Sequence, residues 1–325
     1  MAARVSDELS EKDQEELTEE VWELIRVFKN DTRNFKCKRI LGEGSYGVAL
    51  LFQEDDAAGV PKRLFCAKCA SADDSLEDLE REIQATEIMY NSLHHCQPIV
   101  ENNQMLAPNN IPEDVDLENA FYRVTEYLHN GTLEEFISRI RDLDSVPNRV
   151  LWYIFQCLIR ACIEMAFPTG DTYDDPVNPR RGVLEPGVDE NNGSDFWHGD
   201  LASRNVMFGD LDNGEHILVP ILKLIDYGLS TWEGAPPASG GYNNTAIQCN
   251  ISDIGEIMTD VWKRGPYLDV TLRDLVERCI NLIPNLRPTL EELIEEAEAG
   301  SADKTMESDD MIEAFVRQFV FNAPT

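Results

Sequence analysis

The sequence predicts an α+β fold, and three observations carry that expectation. RLFCAKCA at 63–70 is a short apolar run of strand type, and SLEDLEREIQATEIMYNSL at 75–93 places apolar residues near helical spacing. Beyond residue 130 the apolar runs lengthen into helical patterns, above all LWYIFQCLIRACIEMAF at 151–167. The 325 residues hold one domain of roughly 250 residues plus extensions, and a second sizeable domain does not fit.

Taken in chain order, residues 1–35 read as an acidic extension. Within it ELTEEVWELIRVF at 16–28 fits an amphipathic helix, with Ser10 as N-cap and Asp13 at the third helical position. That helix is expected to pack on a lobe rather than to float. LGEGSYGVA at 41–49 follows, where Gly42, Gly44 and Gly47 lack the side chains that would keep backbone N–H groups away from phosphate oxygens. The next strand carries one central lysine, Lys68, and the 75–93 helix carries Glu82. Residues 101–119 are a polar Asn/Pro-rich loop. RVTEYLHNGTLEEFI at 123–137 reads as a strand to Thr125, an extended segment, a break at Asn130–Gly131 and a helix.

After the 151–167 helix, residues 168–196 are rich in Pro, Gly, Asp and Asn and read as a loop. HGDLASRN at 198–205 and LIDYG at 224–228 then carry Asp200, Asn205 and Asp226. DIGEIM at 253–258, PYLDVTLRDLVERCI at 266–280 and LIPNLRPTLEELIEEAE at 282–298 extend the helical part. The tail 301–325 begins acidic and ends in MIEAFVRQFVF, whose apolar positions 311, 312, 315, 316, 319 and 320 form a helical face. Docking on its own domain or into a partner groove would satisfy that face.

One carboxylate to position a hydroxyl, and an amide with a second carboxylate to hold metal, is the division of labour that phosphoryl transfer needs. Asp200, Asn205 and Asp226 supply it at a spacing that resembles the HRDxxxxN and DFG segments of eukaryotic protein kinases. The glycine loop, Lys68, Glu82, the 123–137 segment and the closing LRPTLEEL follow the order of that family. The resemblance implies a two-lobed protein-kinase-like fold over 36–300. A small antiparallel sheet lobe with one helix would span 36–128 and a larger, mainly helical lobe 129–300, with 168–196 an insertion bordering the site.

It further implies ATP and Mg2+ as cofactors. Leu41, Gly42, Gly44, Ser45 and Gly47 would cover the phosphates, and Ala49 and Cys66 would roof the adenine. Thr125 would be a small gatekeeper, Glu126 and Leu128 would present backbone to the adenine edge, and Met207 would floor it. Lys68, oriented by Glu82, would grip phosphate; Asp200 would accept the substrate proton with Arg204 assisting; Asn205 and Asp226 would ligate metal. His198 would pack beneath the loop. Thr86 is polar where the family places an apolar residue.

The chain departs from the family at Gly199, where an arginine is usual, and no APE triplet lies near 238–242. Arg287, which in the family pairs with that glutamate, is expected to use another carboxylate. The helix that protein kinases use to dock protein substrates has no counterpart between 262 and 266. HGDLxxxN also resembles small-molecule kinases of the aminoglycoside and choline kinase type. Three functions therefore stay open: a protein kinase with serine/threonine preference, a small-molecule kinase, and a catalytically silent nucleotide-binding module.

Composition narrows the partners. With 61 acidic against 28 basic residues the formal charge is −33, which repels nucleic acid and anionic membrane and favours basic protein substrates. No apolar run approaches the about 20 residues of a membrane span, and the first residues have no signal character, so an intracellular, cytoplasmic or nuclear, protein is expected. The eight cysteines are expected as free thiols. A zinc reading of Cys66 and Cys69 with the HHC triplet at 94–96 is disfavoured, because side chains three apart on a strand point to opposite faces.

Overall fold

The structure is a computed structural model of all 325 residues, and it describes residues 17–44, 47–70, 76–89, 95, 99–101, 122–168, 184, 187–232, 244–262 and 269–321. The chain separates into two compact units, Met1–Glu87 with Pro98–Tyr127, and Ile88–Gln97 with Leu128–Thr325. The fold is α+β.

In the first unit, helix α1 (Glu19–Asn30) precedes strands β1 (Asn34–Gly44), β2 (Gly47–Asp55) and β3 (Pro61–Cys69), helix α2 (Leu76–Ile88), and strands β4 (Ile99–Glu101) and β5 (Tyr122–Glu126). The strands form one sheet in the order β1-β2-β3-β5-β4, every pair antiparallel. Alternation along β3 sorts its side chains: Phe65, Ala67 and Cys69 are buried in the core, while Cys66 and Lys68 point to the other face.

The core-facing side of the sheet is closed by α1. Val21, Leu24, Ile25 and Phe28 bury their side chains against Phe35, Phe52, Phe65 and Tyr122. The Phe28 ring lies 5.3 Å from Phe35, edge-on, and 4.6 Å from Phe52. Burying each such side chain contributes about 1.5–3 kcal/mol. The helix assigned to a separate N-terminal extension is therefore a structural part of the sheet unit. Ser10 and Asp13, its expected cap residues, lie outside the described residues, and the helix starts after Thr18.

The second unit holds helices α3 (Leu133–Arg139), α4 (Asn148–Ala166), α5 (Ala246–Trp262), α6 (Val270–Cys279), α7 (Leu290–Ala302) and α8 (Asp309–Val316), with a two-stranded ladder of β6 (Val206–Phe208) and β7 (Leu222–Leu224). The apolar α4 is buried on every side, from Trp152 and Phe155 to Ile163 and Met165. Thr132 caps α3 in a reciprocal pair with Glu135. Leu128, expected in the sheet lobe, belongs to this unit because its side chain packs at the Gly209 backbone.

The end of the 168–196 segment is ordered: Ser194 bonds to the Ala166 and Met165 carbonyls, and the Glu190 carboxylate accepts the Leu290 N–H at 2.7 Å, at the start of α7. Residues 169–183, 185 and 186 lie outside the described residues, as do 102–121, 233–243 and 263–268, where the Asn/Pro-rich loop, the missing APE triplet and the shortened docking region fall.

The tail docks on its own unit. Ile312, Val316 and Val320 are buried, and the Arg149 guanidinium donates to the Ser301 carbonyl at 3.0 Å, the Glu307 carbonyl at 2.7 Å and the Asp309 carboxylate at 2.9 Å. No helix among the described residues is long and apolar enough to cross a membrane.

Candidate functional site

Two clusters carry the predicted site residues, one in each unit. In the sheet unit, the Lys68 ammonium meets the Glu82 carboxylate at 2.9 Å, with Glu82 buried on α2. Asp78 and Glu80 share that helix, but Asp78 pairs with Arg81 instead. Glu82 has a second cation that the sequence reading missed: Arg123, buried on β5 directly across the ladder from Lys68, reaches its other oxygen at 2.9 Å. Thr86, polar where an apolar residue was expected, donates its hydroxyl to the Glu82 carbonyl at 2.8 Å, which satisfies it within its own helix.

Cys66 stands opposite Thr125 on the same ladder, and burial pushes its thiol above the usual range against the pull of Arg123 and the Thr125 hydroxyl. It is therefore a neutral, soft surface. Ala49 pairs with Lys68 across β2 and β3. Leu41 and Gly42 lie at the end of β1, and Gly44 pairs with Gly47 across the turn. Gly47 has φ 117°, and a Cβ there would stand 2.1 Å from the Cys69 carbonyl oxygen, so the turn admits only glycine. Ser45 lies outside the described residues. Glu126 ends β5.

In the helical unit, the ladder between β6 and β7 sets the geometry. Asn205 immediately precedes β6 and Ile225 immediately follows β7; the Ile225 N–H donates to the Asn205 carbonyl at 3.0 Å, which brings Asp226 beside the HGDLASRN loop. Asn205 donates its side-chain N–H to the Asp200 carbonyl at 2.8 Å and to the Asp200 carboxylate at 2.9 Å. The other Asp200 oxygen pairs with the exposed Arg204 guanidinium. Asp226 has φ 63°, and is the sole non-glycine with positive φ among the described residues. Such a backbone persists only where its surroundings hold it. Met207, on β6, bridges to Thr132.

The loop is fastened from below. His198 is fully buried; its Nδ1 takes the Asp200 N–H at 3.4 Å and its Nε2 lies 3.2 Å from the Ile225 carbonyl, so it ties the two segments together. Its ring lies 4.9 Å from that of Tyr227. Asn250 on α5 accepts the His198 N–H at 3.3 Å and donates to the Phe196 carbonyl at 2.9 Å. Sequence reading singled out the nearby DIGEIM segment and missed Asn250, whose one signal is a polar residue on the buried face of an apolar helix. Trp197 and Thr231 exchange backbone hydrogen bonds of 2.8 and 2.9 Å across the loop.

Gly199 sits between these anchors with φ 80°, and a Cβ would meet the Leu229 carbonyl oxygen at 2.2 Å. The absence of an arginine before Asp200 is thus dictated by backbone geometry. Asp253 on α5 accepts the Trp197 indole N–H at 3.2 Å; burial raises its carboxyl to about 7 against that bond, with Glu256 and Asp200 adding to the rise and Arg287 opposing it. Arg287 corrects an expectation. Its hydrogen bonds go to the Asn281 and Gln248 carbonyls rather than to a carboxylate.

Asn205 and Asp226 offer an amide oxygen and a carboxylate, hard donors that suit Mg2+. The fit is physical as well: the Asn205 amide nitrogen is committed to Asp200, which fixes the orientation of its oxygen. A second group of ligand-type side chains, His95, Cys157 and His216, converges elsewhere in the helical unit. The seven described cysteines are free thiols. No family model matches the chain, and no curated protein matches it.

Proposed function

We propose that the chain is an ATP- and Mg2+-dependent protein kinase of the two-lobed protein-kinase-like fold, transferring a γ-phosphoryl group to a protein hydroxyl, serine or threonine in preference to tyrosine. The observation that carries the reading is the bond pattern around Asp200. Asn205 holds one carboxylate oxygen and Arg204 the other, while the Ile225–Asn205 bond delivers Asp226 to the same loop.

In this reading Asp200 orients the acceptor hydroxyl and takes its proton late in transfer. Asn205 and Asp226 hold Mg2+, which when bound neutralises phosphate charge. Lys68, fixed by Glu82, presents its ammonium to phosphate oxygens, and Arg204 limits the charge on Asp200. Cys66, Ala49, Thr125 and Met207, with the backbone of Glu126 and Leu128, suit a flat heterocycle such as adenine. The net charge of −33 favours a basic protein substrate and disfavours nucleic acid and anionic membrane.

One observation favours a small-molecule acceptor as the second reading. Gly199 cannot be the arginine through which many protein kinases sense a phosphorylated activation segment. Incubating the purified full chain with labelled ATP and Mg2+ over mixed peptides, then over aminoglycosides, choline and sugars, separates the readings. Label on peptides, lost by at least about 100-fold in Asp200→Asn with nucleotide binding kept, supports the first. Label on a small molecule alone supports the second, and no transfer to any acceptor leaves a silent nucleotide-binding module.

A further inference from the structure

Away from the residues assigned to phosphate transfer, the helical unit contains an enclosed group of soft donors. His95, Cys157 and His216 come from three distant parts of the chain, are 0%, 1% and 2% exposed, and place their ligand atoms within 4.8 Å of one another. Cys157 Sγ lies 3.9 Å from His216 Nδ1, and the two imidazole rings are 5.5 Å apart. Ligand atoms around a tetrahedral zinc ion are separated by roughly 3.5 Å, so closing this set takes side-chain shifts of about 1 Å.

Each donor is held from behind. His95 donates through Nδ1 to the buried Glu164 carboxylate at 3.1 Å, a bond that selects the tautomer with its lone pair on Nε2. The same carboxylate accepts the His95 backbone N–H at 3.1 Å. A carboxylate behind a histidine is the arrangement that orients and strengthens imidazole ligands in metal sites. His216 is presented by a tight turn in which the Asp212 carboxylate takes the Gly214 N–H and, at 3.0 Å, the His216 N–H. Arg160 on α4 clips that turn through Glu215 at 3.1 Å. Cys157 stands on the rigid α4.

We propose that His95, Cys157 and His216 form a buried binding site for a borderline-soft metal cation, zinc foremost, with Glu164 as the positioning residue behind His95. Two neutral imidazoles and one thiolate match zinc or copper(I) and not magnesium, and the fourth position on zinc falls to water. Binding breaks the Cys157 S–H bond, forms the metal–sulfur bond and releases that proton to solvent, with no change of oxidation state. Burial pushes the free thiol above its ordinary range. The site also grips the ladder: the Leu224 N–H donates to the His95 carbonyl at 2.7 Å, two residues before Asp226. A cation here would fasten the strand that leads into the phosphate-transfer loop.

The test uses the purified full chain. Elemental analysis is expected to find about one zinc per chain after exchange into chelator-free buffer, with copper read in parallel. Cobalt(II) added to zinc-stripped protein should develop a thiolate-to-metal charge-transfer band. The band should vanish in Cys157→Ser, persist in Cys249→Ser, and require about 10–100-fold more cobalt in Glu164→Gln. Circular dichroism establishes that each variant is folded, and the isosteric Glu164→Gln with the unmodified chain decides the matter should Cys157→Ser not fold. A folded, unmodified chain that develops no band, or a band retained in Cys157→Ser, overturns the site. Neither outcome depends on whether the chain transfers phosphate.

Discussion

Arg123 stands directly across the β3–β5 ladder from Lys68, and both cations close on Glu82 at 2.9 Å. The buried carboxylate therefore compensates two positive charges rather than one. Removing it takes the Glu82 carboxylate from both cations and leaves Arg123 buried without it, which by the cost of breaking a buried pair amounts to about 3–5 kcal/mol. Glu82→Ala is expected to lower the urea midpoint accordingly. Adding Arg123→Met to a Glu82→Gln chain should recover part of the loss, since one stranded charge is gone; strictly additive losses would refute the shared-carboxylate account.

Gly199 governs the shape of the loop before Asp200. Gly199→Ala must take φ 80° and push its methyl against the Leu229 carbonyl. Positive φ alone costs of order 1–3 kcal/mol outside glycine. A drop in melting temperature of several degrees is expected, and a larger one for Gly199→Arg. Unchanged melting in both variants would show that the loop relaxes freely.

Asp253 makes stability depend on pH with a definite sign. Its carboxyl titrates near 7 in the folded chain against an ordinary 3.8, so between those values the folded state binds more protons than the unfolded one. Stability therefore falls as pH rises from about 4 to 7 and levels off above. At roughly 1.4 kcal/mol per pH unit the span reaches up to about 4 kcal/mol, less the share screened by water at this partly exposed group. Asp253→Asn keeps an acceptor for Trp197 and lacks the titration. Its stability advantage should be near zero at pH 4 and largest at pH 8; an advantage independent of pH would exclude Asp253 as the source.

The tail is held through Arg149. Three acceptors, two of them backbone carbonyls, converge on one buried guanidinium. Losing it leaves those acceptors to find water, at about 1–3 kcal/mol for each that cannot. In Arg149→Met, limited trypsin digestion should cut first at Lys304 and Arg317, and faster than in the unmodified chain. An unaltered cleavage order would mean that the buried Ile312, Val316 and Val320 suffice to dock the tail.

Features written in local patterns were legible in the sequence. The strand with Lys68, the helix with Glu82, the tight glycine turn and the apolar helix α4 each follow from spacing over a few residues, because side-chain period and backbone geometry are coupled there. Convergence over long sequence distances was not legible. Arg123 joins Glu82, Asn250 fastens His198, and His95 meets Cys157 and His216 only because packing of whole elements brings them together. The HHC triplet did hint at a ligand, but its partners are lone residues on a helix and a turn, which no spacing rule connects. Arg287 was legible as an arginine in want of a new partner, not as one that would choose carbonyls.

Helix α1 has a practical meaning for anyone trimming this protein. Phe35, Phe52, Phe65 and Tyr122 form a greasy panel that Phe28 and its neighbours cover. A fragment beginning at the first strand would offer that panel to other molecules, and clumping on expression is what such a surface invites. Any shortened version intended for biochemistry should keep the chain from Leu17 onward.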